Sequence, residues 1–502
     1  MSGIDRKKIV SLLTLIAFMG AVQAPVFAKQ SWFHPIVFSK SWRHPLQLLE
    51  KKQTFNVPKK YDTPLSPQLQ GSVSAATISW RTFFSDPNLV ALIETALANN
   101  QEFNIAVQDI EIAANEVKEK QAEYLPKVGL GFGGSYIRPS ENTPEGVLDK
   151  IIEERNIVRN PDFNLNLGPS LSWEVDVWKR LRNAKEAARM RMMAQYEVRN
   201  FLISRLVSEI ARNYYELMAL DTSLKILDQN ISIQEAAFLK MQALKQYAKS
   251  NQLAVNRFEA QLLGTKSQRF ETSQRIVEKE NRLKFLSGIY NEAPIVRQSE
   301  QFMAIPVDEL QTGVPIQLLQ NRADIRQAEA AIKAAKLDLK SVKAQLLPNV
   351  TIKAGAGFAG FDPQLLFQAP QSLFYNAIGD IMVPLINRKA IIARIQIADV
   401  RQTQAVLAYE QTLLNAYTDV LNQVSNIKNM QQAFDKKHRE VVLLEQSIPI
   451  ANSLFKYARA NYIEVLLVQE EKLNAETEQV EVKMKLVGSR IDLYRALGGG
   501  WR

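Results

Sequence analysis

Between Phe163 and Arg180 the chain reads FNLNLGPSLSWEVDVWKR. Phe163, Leu165, Leu167, Pro169, Leu171, Trp173, Val175 and Val177 take every second place, and mostly polar residues or glycine stand between them. A period of two belongs to a strand with one apolar face. After Trp178 the spacing becomes helical. No Gly or Pro interrupts residues 170–263 or 385–448, and Tyr409, Leu413, Ala416, Val420, Val424 and Ile427 recur every three or four positions. A helix from Lys179 to about Gln246 would be ~100 Å long. Its shorter partners are expected to stack end to end to match it. Pro449 falls inside the second long helix and is expected to kink it.

The pattern occurs twice. AEYLPKVGLGFG at 122–133 matches AQLLPNVTIKAG at 344–355, with Pro126 and Pro348 separated by 222 (348 − 126). Gly168 and Gly379, like Leu262 and Leu473, are 211 apart (379 − 168; 473 − 262). The first half therefore holds a longer connection, about PSENTPEGVLDKIIEERNIVRNP, between its two strands. A repeat of this size implies a duplicated structural unit. Each unit predicts a lead-in helix (Asn104–Tyr124, Ala323–Leu346), two alternating strands, and a long helical hairpin. The expected division is a signal peptide over 1–28, an extended arm over 29–78, a first repeat over 79–290, a linker over 291–314 and a second repeat over 315–502. Strands are expected at about 127–137, 162–177, 349–361 and 373–386.

Residues 1–28 have a basic start (Arg6, Lys7, Lys8), an apolar run from Ile9 to Ala21 and small residues at Val26 and Ala28, the form of a secretory signal. The chain has no cysteine, so neither a lipid anchor nor a disulfide is expected. The net charge is +10, without the aromatic–basic clustering that would favour nucleic acid. His34, His44 and His438 are far apart, no His-Glu-x-x-His occurs, and neither GFGGSY nor GAGFAG leads into a helix. No cofactor, no metal and no enzyme activity are expected.

Exported strands with one apolar face suit an outer membrane. A four-stranded open sheet would leave its edges unpaired in lipid, and four strands are too few to close a barrel. Two copies would supply eight strands and a side-chain-filled interior; three copies would supply twelve and leave a lumen. A soluble sheet lying on a helical layer would alternate in the same way. In the membrane reading, Trp173 and Trp178 belong to the interfacial aromatic belt.

Several stretches carry a family resemblance: WRTFFSDPNLVALIETALANN at 80–100, LSWEVDVWKRLRNAKEAARM at 171–190, GVPIQLLQNRADIRQAEAAIKAAKLDLKSVKAQLLP at 313–348 and LYRALGGGW at 493–501. Together they resemble the TolC-type outer membrane efflux channels, nearest the OprM/NodT branch of multidrug channels. The resemblance implies a mainly α fold with a membrane β-barrel: a homotrimer whose 12-stranded barrel, four strands per chain, continues as a 12-helix periplasmic tunnel. It implies outer membrane lipid around the barrel, and a periplasmic adaptor and an inner-membrane pump of the resistance-nodulation (RND) type as partners. Lys179 stands where the family commonly has Gly at the strand-to-helix turn.

LFKYARANYIEVLLVQEEKL at 454–473 resembles the family's second periplasmic tip, where acidic residues narrow the tunnel; Glu464 holds the first of those positions. The register of 211 sets Leu253 opposite it. One ring of three Glu464 carboxylates is therefore expected at the entrance, among Lys245, Lys249, Arg257, Lys456 and Arg459, with Ala458 in a place usually Gly. Leu253, Tyr462 and Val465 are expected to meet the adaptor. The function implied is passive exit of small molecules. The alternatives are a conduit for ATP-driven (type I) protein secretion and, from another class, a periplasmic helical adaptor without a pore.

Overall fold

The computed structural model describes residues 74–502 except 138, 156–161, 249, 307–311, 314, 386 and 458. The expected signal peptide and all of the expected arm before Ser74 lie outside the described residues. The described residues belong to one compact unit, Phe55–Arg502. Its strands and its helices of more than two turns follow in the order α1 (Pro87–Asn99), α2 (Gln101–Glu123), β1 (Lys127–Ile137), α3 (Pro144–Glu154), β2 (Asp162–Val175), α4 (Arg180–Gln246), α5 (Gln252–Ser287), α6 (Ala323–Ala344), β3 (Asn349–Gly360), β4 (Leu373–Met382), α7 (Arg388–Lys456) and α8 (Tyr462–Ala496). The structure adds α3, which the sequence pattern reads as loop, and ends β4 at Met382, just before Pro384, whose missing N–H cannot serve a ladder. α7 runs on through Pro449 as far as Lys456.

Side-chain caps start the helices. Asp86 accepts from Asn88 N–H at 2.8 Å and begins α1, with Pro87 at its first position. Asn100, Asn251 and Asn461 do the same for α2, α5 and α8, accepting from Phe103, Ala254 and Ile463 N–H at 2.9, 2.9 and 2.8 Å.

The central element is α4. It packs on α2, α5, α6 and α8, while α7 packs on α6 and α8. Near the sheet the order across the layer is thus α2, α4, α6, α7; toward the hairpin tips it is α5, α4, α8, α7. The short helices do stack in pairs to match the long ones. Where α5 meets α2, Asn100 Nδ2 donates to Leu286 O at 2.9 Å. Where α8 meets α6, Arg322 Nη1 donates to Ala496 O at 3.0 Å. Both joints use glycine beyond a helix end. Gly288 (φ 63°) and Gly498 (φ 94°) are left-handed, and a Cβ on them would come within 2.8 Å of Asn99 O and 2.6 Å of Asn321 C. Only a residue without a side chain both reverses the helix end and admits the next helix so closely.

The main core lies at these joints. Tyr214, Leu217, Ile210 and Met218 of α4 pack with Trp80, Leu89, Ile93, Leu283, Phe302, Ile491 and Tyr494. A second cluster joins Leu413, Val420 and Val424 of α7 to Ile325 and Leu493, and Ala75 and Ala76, at the very end of the arm, are buried in it. Phe302, in the 3-10 helix Ser299–Ala304 between α5 and α6, packs into the main core. No helix among the described residues is long and apolar enough to cross a membrane.

Candidate pore wall and entrance

The four strands form one antiparallel sheet in the order β1-β2-β3-β4. The register puts Leu130 opposite Pro169, Leu167 opposite Phe358 and Ala356 opposite Tyr375. Directly paired residues share a face, so one face collects Val128, Leu130, Phe132, Leu165, Leu167, Leu171, Trp173, Val350, Ile352, Phe358, Leu373, Tyr375 and Ile381. The other collects mostly small and polar residues, including Gly129, Gly131, Asn166, Ser170, Ser172, Thr351, Lys353, Asn376 and Asp380. Lys353 and Asp380 pair there at 3.3 Å. The apolar face is uncovered: Leu130 is 79% exposed and Tyr375 89%. An exposed apolar surface of this extent needs a non-aqueous surrounding or a partner. Among the described residues, β1 and β4 each keep one free edge.

The helical layer ends where the sheet ends. β1 follows α2, and β4 leads into α7, so one side of the chain is β1, α2 and α5 and the other is β4 and α7. Burial agrees. Of the residues of α4, 67 long, 22 are buried, against 7 in α7, 69 long. Large apolar residues stay exposed along both sides at seven-residue steps. They are Ile105 and Ile112 on α2, Leu263, Phe270 and Val277 on α5, and Val400, Leu407, Leu414, then Leu443 and Ile450, on α7. A seven-residue apolar repeat is the seam of a coiled coil, and among the described residues each seam lacks its other half.

The strand-to-helix passage is fixed by hydrogen bonds. Trp173 Nε1 donates to Tyr124 O at 3.1 Å and Trp178 Nε1 to Pro348 O at 2.8 Å. Both indoles thus mark the level at which the two lead-in helices give way to strands. Lys179 has φ 61° and ψ 28°, the left-handed region, which explains why glycine suits this turn. Its side chain makes no cap bond. Asp176 takes that role, a residue to which the sequence pattern alone gives no signal: its carboxylate accepts from Leu181 and Arg182 N–H, both at 3.0 Å.

At the far ends of the hairpins, Met241, Ala254, Val255, Phe258 and Leu466 form a small core. Tyr462 packs onto it, its ring 6.5 Å from that of Phe258. Val465 is 7% exposed and faces inward, so it offers no surface for docking; Leu253 is 57% exposed. The expectation for Val465 is therefore corrected: it is buried within its own chain, next to Leu466 of the tip core. Glu464 is exposed in the first turn of α8, and its N–H donates to Asn461 Oδ1 at 3.2 Å. The buried pairs Ala254–Val255 and Val465–Leu466 keep the 211 register, whereas the caps Asn251 and Asn461 differ by 210 (461 − 251). The second tip thus has one extra residue before its buried pair, and Leu253 and Glu464 both immediately precede that pair. Lys249 and Ala458 lie outside the described residues.

Charge is balanced along the helices and not at the tips. Lys266 pairs with Glu235 at 2.7 Å and Arg269 with Asp228 at 2.6 Å. Among the described residues no ion pair links α4 and α5 closer to their tip than these. At the joints, Arg297 bonds to Asp221 and Glu280, each at 2.5 Å. Burial holds the Lys483 ammonium below its ordinary pKa, and Nζ donates to Ile305 O at 2.7 Å.

The family described as outer membrane efflux protein matches residues 92–289 and 314–499. The chain is similar to the cation efflux system protein CusC of Escherichia coli, 26% identical over 451 residues, which cover 88% of this chain and 93% of that protein. It is similar to the toluene efflux pump outer membrane protein TtgC of Pseudomonas putida, 24% identical over 438 residues, which cover 87% of this chain and 88% of that protein. Its fold is similar to that of the outer-membrane channel OprN, with a TM-score of 0.79, 20% identity, and coverage of 89% of this chain and 98% of that one.

Proposed function

The chain belongs to the outer membrane efflux protein family, TolC-like channels that are not enzymes, and from that premise we propose that it is the passive outer-membrane duct of a tripartite efflux system. Three copies close the wall. The inner-membrane pump, of the resistance-nodulation type, drives transport, and a periplasmic adaptor joins the two. The observation that carries this reading is the coincidence of open edges: β1, α2 and α5 on one side of the chain, β4 and α7 on the other, each with an exposed apolar seam. A head-to-tail interface of this kind closes into a ring. Twelve strands then surround a lumen lined by the small and polar face, and lipid covers the apolar one. Trp173 and Trp178 sit in the aromatic belt of the periplasmic boundary.

The relatives' names span a cation efflux system and a toluene efflux pump. A duct shared by cargoes so unlike has little to recognise, which leaves cargo choice to the pump. At the entrance, Glu464 is the constriction residue, and Leu253, with the half-buried Tyr462 beside it, meets the adaptor.

Two measurements test this. Purified protein in detergent should have the mass of three chains and conduct ions across a planar bilayer; Phe270→Glu or Leu407→Glu should reduce it to single chains while helix content stays. A monomeric native protein, or one that does not conduct, refutes the duct. Crosslinking in native membranes should recover a proton-driven transporter with its adaptor, whereas an ATP-driven exporter alone would move the assignment to protein secretion.

A further inference from the structure

The two repeats differ between their strands by 11 residues (222 − 211), and α3 is 11 residues long. The first repeat has gained a helix. It is specified locally: Thr143 Oγ1 accepts from Gly146 N–H at 3.2 Å, and Pro144 opens the helix. Yet among the described residues α3 has no extended packing against any other helix or strand. Val147, Leu148 and Ile151 make one apolar face, and all three are exposed. At the same end of the sheet, the β3–β4 connection exposes two more large apolar side chains, Phe361 and Phe367. Phe367 is steadied by the Phe358 ring at 5.9 Å and neighbours the buried Leu366.

Topology says which of these surfaces meet. In a closed barrel the free edge of β1 pairs with the free edge of β4 on the next copy. The chain leaving β1 toward α3 therefore emerges beside the next copy's 361–372 connection, at the end of the barrel away from the long helices. We propose that α3 is a clasp between copies, its Val147–Leu148–Ile151 face seated on Phe361 and Phe367 of the partner subunit. The clasp spans the β1–β4 seam and fastens it at the outer end. This rests on the duct reading above, because it needs a neighbouring copy, and the occupant follows from continuity with the barrel seam. The clasp adds hydrophobic contact to the backbone hydrogen bonds of the seam.

The chain has no cysteine, so introduced ones report cleanly. Leu148→Cys with Phe367→Cys, treated with a short bis-maleimide in outer-membrane vesicles, should give covalent dimers and trimers on a denaturing gel. Either single variant should stay monomeric. Strong crosslinking by Leu148→Cys alone would mean that the α3 helices meet one another at the pore axis, and would overturn the clasp. No crosslink in a protein whose native mass is still three chains would overturn it too. A monomeric native mass would sink the duct reading and the clasp with it, and the mass measurement tells these failures apart. As a second test, Leu148→Asp should lower the temperature at which the trimer dissociates in detergent, with helix content unchanged. An unchanged dissociation temperature counts against the clasp.

Discussion

Arg182 is joined to Asp176 three times: its N–H and its Nε donate to Asp176 Oδ2 at 3.0 and 3.1 Å, and its Nη2 donates to the Asp176 carbonyl at 2.6 Å. The strand that ends at Val175 and the helix that starts at Arg180 are thereby locked at a fixed angle. The cap is buried and charged, so Asp176→Ala should cost about 2 kcal/mol, read as a lower denaturation midpoint. The effect depends on pH. Burial alone would push the Asp176 carboxyl up, but the Arg182 and Leu181 N–H bonds and the Arg182 charge outweigh it and hold the pKa below its ordinary value. A depressed folded pKa stabilises above the unfolded value of about 4 and loses that contribution as pH falls through the folded pKa. Native protein and Asp176→Asn should therefore converge in stability in acid. A constant gap down to the acid limit would refute this account.

Gly168 and Gly357 face one another across β2 and β3. A Cβ on Gly168 would lie 2.0 Å from Ala356 O, and one on Gly357 would lie 2.1 Å from Leu167 O. Both obstacles are backbone and cannot swing aside. Gly168→Val should cost on the order of 3 kcal/mol or more and deplete folded protein from the outer membrane. The same change at Gly129, whose Cβ would meet nothing within 4 Å, should be tolerated.

Arg297, in the segment that follows α5, is tied to both helices of the first hairpin. Its side chain is 14% exposed, and it bonds to Asp221 through Nε and Nη2 and to Glu280 through Nη1, at 2.5, 3.0 and 2.5 Å. Arg297→Ala leaves two carboxylates without their shared cation, and a loss of about 3 kcal/mol is expected. Arg297→Lys keeps the charge but not the fork, so it should recover only part of the loss. Denaturant titration of the three proteins gives the order.

Glu464 stands exposed in the first turn of α8, with Lys245, Arg257, Lys456 and Arg459 near the same hairpin tips. In a ring of three copies, Glu464→Gln should lower cation-over-anion permeability, measured as a shift in reversal potential across a salt gradient. The shift should be modest, because the bases oppose the carboxylates. An unchanged reversal potential places the constriction elsewhere.

The strands are legible in the sequence because each keeps one face apolar; β2 alternates without interruption from Phe163 to Val177. The long helices are legible because no Gly or Pro occurs in α4, or in α7 before Pro449 near its end, and α4 starts at Arg180, one residue from where the spacing puts it. α3 escapes notice although its marks are present: Thr143 and Pro144 at the start, then apolar residues at 147, 148, 151 and 152. A short helix embedded in a polar stretch simply resembles a loop when only long periods are sought. Val465 misleads for another reason. One-dimensional likeness to a tip does not say which side of a helix faces its own hairpin, and the buried register with Ala254–Val255 decides that. Asp176 carries no sequence signal, because it caps a helix from three residues before the usual position.

The two sides of the chain are unlike, and this has a genetic consequence. In a ring of three, every member must receive a neighbour on its β1–α2–α5 side and present its β4–α7 side to another. A subunit spoiled on α7, for example by Leu407→Glu, still recruits normally with its sound side and then leaves the circle open. If sound and spoiled subunits are made in equal amounts and mix at random, roughly one ring in eight contains only sound members. Such an allele would be dominant, whereas one that prevents the chain from folding would be recessive.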